Sequence, residues 1–168
     1  MSKKDRSRRP VLQAVCVPVD QEKLESIAKE AQFQQEVDVL ARTLWGEARG
    51  ESQEGMEAVA CVILNRVKIA QEKTRYWWGN TVSEVCQKPY QFSCWNSNDP
   101  NRNKILGLSD KDIHFVSAKR IAARAIIGSL KDQTYGATHY HEKTIKPYWV
   151  RGQKPLVTIG RHIFYRIE

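Results

Sequence analysis

Glu47 is the residue whose type and position point most directly to chemistry. It falls on a stripe formed by Val37, Leu40, Ala41, Leu44 and Ala48, whose three-and-four spacing marks the buried face of a helix. A carboxylate on that stripe is carried toward the core as the helix ends, where loss of water favours its protonated form. A general acid working near neutral pH needs that setting. Gly46 and Gly50 flank it, leaving room for a ligand or another backbone, and Gly50 is suited to the positive φ that closes a helix. The plainer reading is a helix-end carboxylate paired with Arg42, Arg49 or Arg66.

Other groups could also carry chemistry. His139, His141 and His162 lie near the C-terminus, and an H-x-H pair on an extended segment could join a Cys or Glu142 in holding zinc. No H-E-x-x-H or paired-cysteine motif supports this, so no metal or other cofactor is expected, and the histidines are read as fixing a loop beside a cleft. No G-x-S-x-G is present, and Cys94 has no evident base partner. Of the four cysteines, Cys61 reads as an apolar filler, while Cys86 and Cys94 could bridge across a loop or stay reduced. From Arg75 to Leu108 the chain is dense in Asn, Ser, Gly and Pro and carries Tyr76, Trp77, Trp78, Tyr90, Phe92 and Trp95. Aromatic faces mixed with amides and hydroxyls suit a sugar; about half of these rings are expected to plug the core beneath the loop instead.

These residues need elements to hold them. Asp20 is placed to cap a helix over 21–32, with Leu24, Ile27, Ala28, Ala31 and Phe33 as a narrow stripe, and no Gly or Pro separates it from the Glu47 helix. The next segment, 53–69, is apolar on most sides and belongs in the middle of a core, giving Glu47 a rigid mount. Val82 to Cys86 allows one or two helical turns, and S-D-K-D predicts a helix with Ser109 as N-cap and Asp112 at its third position. Residues 134–150 show no helical period, and Leu156 to Ile167 reads as a strand pair bent around Gly160.

With 168 residues there is room for one domain with a real core. We read 1–19 as a basic arm and 20–168 as the folded domain; the arm only faintly resembles an export signal, since Gln13 and Pro18 interrupt its apolar run. No run approaches the roughly eighteen apolar residues of a membrane span. The net charge of +8 calls for an anionic partner. No phosphate loop or basic stripe favours nucleic acid, although the arm could hold it nonspecifically.

Taken together, R-T-L-W-G-E-A-R-G-E, G-M-E-A-V-A-C-V-I-L-N-R-V, G-N-T-V-S-E-V, Q-F-S, A-T-H-Y-H, P-Y-W-V and I-G-R-H-I-F-Y closely resemble the SleB/CwlJ family of cell-wall hydrolases, in family order from Val37 to Tyr165. The resemblance implies an α+β, mainly α, lysozyme-like domain with a small β element near the C-terminus, acting on peptidoglycan glycan strands as a monomer. It places the catalytic glutamate at Glu47 and the cleft at Thr81, whose hydroxyl would face the sugar, at Gln91, Phe92 and Ser93, at His139, Tyr140 and His141, and at Trp149. The loop carrying Trp77 and Trp78 is longer than the family's usual one. Glycosidases normally use two carboxylates. Glu51 and Glu54 both read as solvated and Asp99 lies in an Asn-rich loop, so a single acid is expected, with the sugar's own C6 hydroxyl replacing water in a lytic transglycosylation. Hydrolysis with Glu51 or Asp99 as second carboxylate stays open, as does a non-catalytic binding module. A phage lysin, or a cytoplasmic bacterial enzyme released by lysis, fits the weak export signal.

Overall fold

The computed structural model describes residues 20–73 and 76–167, and the arm expected over 1–19 lies outside the described residues. Five α-helices come first: α1 (Gln21–Ala48), α2 (Gln53–Glu72), α3 (Val82–Gln87), α4 (Arg102–Leu106) and α5 (Ile113–Ile126). A three-stranded antiparallel sheet follows, β1 (His139–Glu142), β2 (Val157–Ile159) and β3 (His162–Tyr165), in the order β1-β3-β2. No described helix is long and apolar enough to cross a membrane.

The two helical segments expected at 21–32 and around Glu47 are one 28-residue helix, because nothing breaks the chain between them; Asp20 accepts from the Lys23 N–H at its start. Only the second half of α1 is buried. Leu24 and Ile27 are 48% and 56% exposed, so the predicted stripe there stays uncovered except at Phe33, whereas Leu40, Ala41 and Leu44 are fully buried.

α2 is the centre of the fold, as its all-round apolarity predicts. Met56, Val59, Ala60 and Ile63 pack into a large cluster with α1, α3 and α5, while Ala58 and Val62 form a smaller one with Ala137 and Phe164 on the sheet side. Removing a leucine side chain from such a core costs about 2–5 kcal/mol.

Three expectations need correction. Helix α5 begins three residues later than expected: Asp112, not Ser109, is the N-cap, and its carboxylate accepts from the Phe115 N–H at 2.9 Å and from Trp45 Nε1 at 3.2 Å. That second bond ties the cap to α1, a tertiary contact invisible in local spacing. The turn α4 arises within the loop, its Ile105 fully buried against α1. Gly50 does not adopt positive φ; α1 ends at Arg49 in right-handed geometry, and the hairpin's Gly160 has the left-handed backbone, at φ +56°.

Candidate active site

Glu47 sits in the last turn of α1, held by core residues on both sides of it: Leu44 is fully buried and Ala48 is 2% exposed. Gly46 matters here. A Cβ at that position would lie 2.9 Å from both Cβ and Sγ of Cys94, so glycine lets the short 3₁₀ turn Ser93–Trp95 press against the helix beside the acid.

The carboxyl receives a hydrogen bond from the Tyr140 hydroxyl at 2.8 Å. Burial pushes it above the ordinary value of 4.5, and the nearby Asp99 charge pushes the same way; the Tyr140 bond, the Arg66 charge and Cys94 oppose this without overcoming it. Tyr140 is itself driven well above its ordinary 10, by burial and then by the Glu47 charge, so it stays a neutral donor.

The three arginines that could have neutralised Glu47 are committed elsewhere. Arg42 pairs with Asp38 at 2.6 Å, and Arg49 lies 4.3 Å over the Trp45 ring. Arg66 is buried; its Nε donates to the Thr138 carbonyl at 2.8 Å and Nη1 to Gln91 Oε1 at 2.9 Å, between the rings of Trp78 and Phe92. It therefore fixes the start of β1 and the Gln91 loop around the acid. A charge on the inner face of an apolar helix, three residues after Ile63 and four before Ala70, was its signal in the sequence.

The other expected site residues divide. Gln91 and the buried Phe92 hold Arg66 rather than face outward. Ser93 is exposed and hydrogen-bonds Asp99, whose carboxyl is held below its ordinary value chiefly by the Asn101 N–H at 2.7 Å. His139 lies between Trp78 and Trp149, ring centroids 6.0 and 5.5 Å away, and burial pushes it down to about 4, so its imidazole is neutral. His141 is buried and bonded to the Tyr165 hydroxyl at 3.1 Å, a sheet-supporting role, and Trp149 packs edge-on against it and Tyr165. Thr81 is engaged locally through its hydroxyl. It is the N-cap of α3, accepting from the Glu84 N–H while Glu84 reaches back to Thr81, a capping box.

Glu51 is likewise not solvated. Its side chain is 3% exposed, and Arg161 grips it through Nε at 2.6 Å and its backbone N–H at 3.0 Å. Cys86 and Cys94 are buried free thiols, not a bridge. Among the described residues no group of three or more His, Cys, Asp or Glu is gathered that could hold a metal.

A depression of about 610 Å³ is lined by Tyr76, Trp77, Trp78 and part of α3; Glu47 is not among its walls, although Trp78 also packs against Arg66 and His139. Of the six loop aromatics, Trp78 and Phe92 are buried in the core and Tyr76 and Trp95 pack against it partly buried, while Trp77 and Tyr90 are 51% and 87% exposed, so more of the rings serve the core than the expected half.

The model of the Cell Wall Hydrolase family matches residues 50–165, more than two thirds of the sequence. The chain belongs to the cell wall hydrolase family. The matched stretch opens three residues after Glu47, so membership rests on the rest of the fold. The chain is 30% identical over 134 residues to the spore cortex-lytic enzyme of Bacillus cereus, covering 78% of this chain and 44% of that protein. It is 28% identical over 132 residues to that of Bacillus subtilis strain 168, covering 77% and 37%. It thus spans less than half the length of these relatives. The fold matches the crystal structure of the catalytic domain of the Bacillus cereus SleB protein with a TM-score of 0.61, at 30% identity over 79% of this chain and 91% of that one. It also matches the catalytic domain of the germination-specific lytic transglycosylase SleB from Bacillus anthracis, with a TM-score of 0.60 at 31% identity, over 79% and 95%. The resemblance to the SleB/CwlJ family and the mainly helical α+β architecture both hold.

Proposed function

We propose that this chain cleaves peptidoglycan between N-acetylmuramic acid and N-acetylglucosamine as a lytic transglycosylase, with Glu47 as its acid and base. One observation carries this: at the end of α1 burial keeps the Glu47 carboxyl above its ordinary value, and a neutral phenol donor aims it. The names of the relatives support the same chemistry.

Protonated Glu47 would give its proton to the glycosidic oxygen as the C1–O bond breaks, releasing the next sugar with a free 4-hydroxyl. The resulting carboxylate then takes the proton of the muramyl C6 hydroxyl while that oxygen closes on C1, forming a 1,6-anhydro ring. Glu47 ends protonated again, and no water is consumed. Tyr140 would hold the carboxyl through both steps, its hydrogen bond strongest when Glu47 is charged. The net charge of +8 favours an anionic wall polymer.

Asp99 supports a second reading, because its charge acts on Glu47 and it is fixed by Ser93 and Asn101. It would activate water and the product would be a reducing end; Glu51 cannot serve, being locked to Arg161. Mass spectrometry of fragments released from purified walls separates the readings. Anhydro ends are expected, reducing ends would favour Asp99, and equal clearing by wild type and Glu47→Gln would overturn both.

A further inference from the structure

The aromatic depression beside Trp78 has features that the reaction at Glu47 does not use. Its about 610 Å³ falls within the size range of ligand pockets, and Tyr76, Trp77, Trp78, Ser83, Gln87 and Lys88 are among its walls. The rings are set at angles: Tyr76 meets Trp78 edge-on at 4.8 Å, and Trp77 lies 5.8 Å from Trp78. Trp78 is 1% exposed and forms the floor, whereas Trp77 is 51% exposed and presents its ring to solvent.

Two polar atoms in these walls have no hydrogen-bond partner among the described residues: Trp78 Nε1 and Ser83 Oγ. Buried polar groups are nearly always paired, so an indole donor and a hydroxyl left unpaired on one depression mark a place where a ligand supplies the partner. The frame around them is fixed. The Ser83 N–H is bonded to Glu36 at 3.0 Å, and Glu84 accepts from the Asn80 N–H at 2.6 Å. Gly79, at φ +116°, lets the turn close on α3, since a Cβ there would lie 2.7 Å from the Glu84 Cβ.

The chemistry of the ligand follows from what the walls offer. With Glu84 engaged in its capping box, Lys88 is the one other charge among the described walls, and the rest is ring faces, a hydroxyl, an amide and an indole N–H. A flat C–H face edged by hydroxyl and acetamido groups matches that set; a phosphate or an apolar chain does not. We infer that this depression is an outlying glycan subsite that takes an N-acetylhexosamine ring on Trp77, away from the bond being cut. It rests on the peptidoglycan reading above. Trp78 Nε1 and Ser83 Oγ are themselves covered, so the sugar pairs with them only when the lining opens.

The test is a titration of the full ¹⁵N-labelled Glu47→Gln chain with tri-N-acetylglucosamine, following the tryptophan indole N–H resonances. The Trp77 and Trp78 signals are expected to move saturably while Trp45, bonded to Asp112, stays still. Trp77→Ala should weaken binding about tenfold, and Trp77→Phe should recover most of it, since a ring face is what the site needs. Shifts confined to Trp95 or Trp149, an unmoved Trp78 signal, or unchanged affinity in Trp77→Ala would overturn the subsite. Turnover plays no part in the titration, so failure of wild type to clear walls would count against the Glu47 mechanism alone.

Discussion

Glu47, in the last turn of α1, and Glu51, in the corner before α2, stand four residues apart, and their carboxyls are tuned in opposite directions. Burial raises both. At Glu47 burial wins, because a phenol is its hydrogen-bonding neighbour and a second carboxylate lies nearby. At Glu51 the side-chain and backbone hydrogen bonds from Arg161, helped by the His162 and Arg161 charges, outweigh burial and hold the group below 4.5. The difference lies in the partner each corner meets, not in the residue: β1 delivers Tyr140 to one, and the β2–β3 turn delivers Arg161 to the other. One sheet therefore sets both groups, since Tyr140 is paired with Phe164 in the β1–β3 ladder.

The pH dependence follows from these signs. Glu51, depressed on folding, adds stability that is present above pH 4.5 and lost as pH falls through its lowered value. Glu47 runs the other way: the unfolded chain releases its proton near 4.5 while the folded one keeps it, so stability declines as pH rises from 4.5 through the raised value.

Breaking the contrast at its strong end has the largest effect. Glu47→Gln should cut wall clearing by at least about a hundredfold, the worth of a general acid, while circular dichroism and melting temperature stay close to wild type. Tyr140→Phe should lower the rate by about tenfold, the equivalent of one hydrogen bond to a charged group. The same change removes a group that favours the carboxylate, so the alkaline limb of the pH–rate profile should move to higher pH; a limb that moves down or stays would contradict the assigned role. Glu51→Gln should leave the rate within about threefold. Because Arg161 is 61% exposed, that ion pair is partly screened and its loss should cost only about 1 kcal/mol in thermal unfolding.

The helices were legible where local pattern sufficed. The two halves of α1, the buried α2 and the short α3 followed from spacing and caps, and Glu47 from its place on the stripe; that the halves join was left open by the absence of Gly or Pro between them. What the sequence hid depends on long-range partners. Tyr140 is 93 residues from the acid it touches, and Arg161 is 110 residues from Glu51, so a glutamate that read as solvated is in fact clamped. The start of α5 was misplaced for a similar reason: Asp112 can cap the helix and bind Trp45 at once, an advantage Ser109 does not have. Thr81 was placed in the cleft by resemblance, and the capping box that G-N-T-V-S-E-V also spells is the task its hydroxyl performs in the fold.

The most direct measurement is a ¹³C NMR titration of the glutamate side-chain carboxyls, assigned with Glu47→Gln and Glu51→Gln. The account predicts that Glu47 titrates above 4.5 and Glu51 below it in the same sample. A Glu47 carboxyl that titrates at or below 4.5 would contradict it.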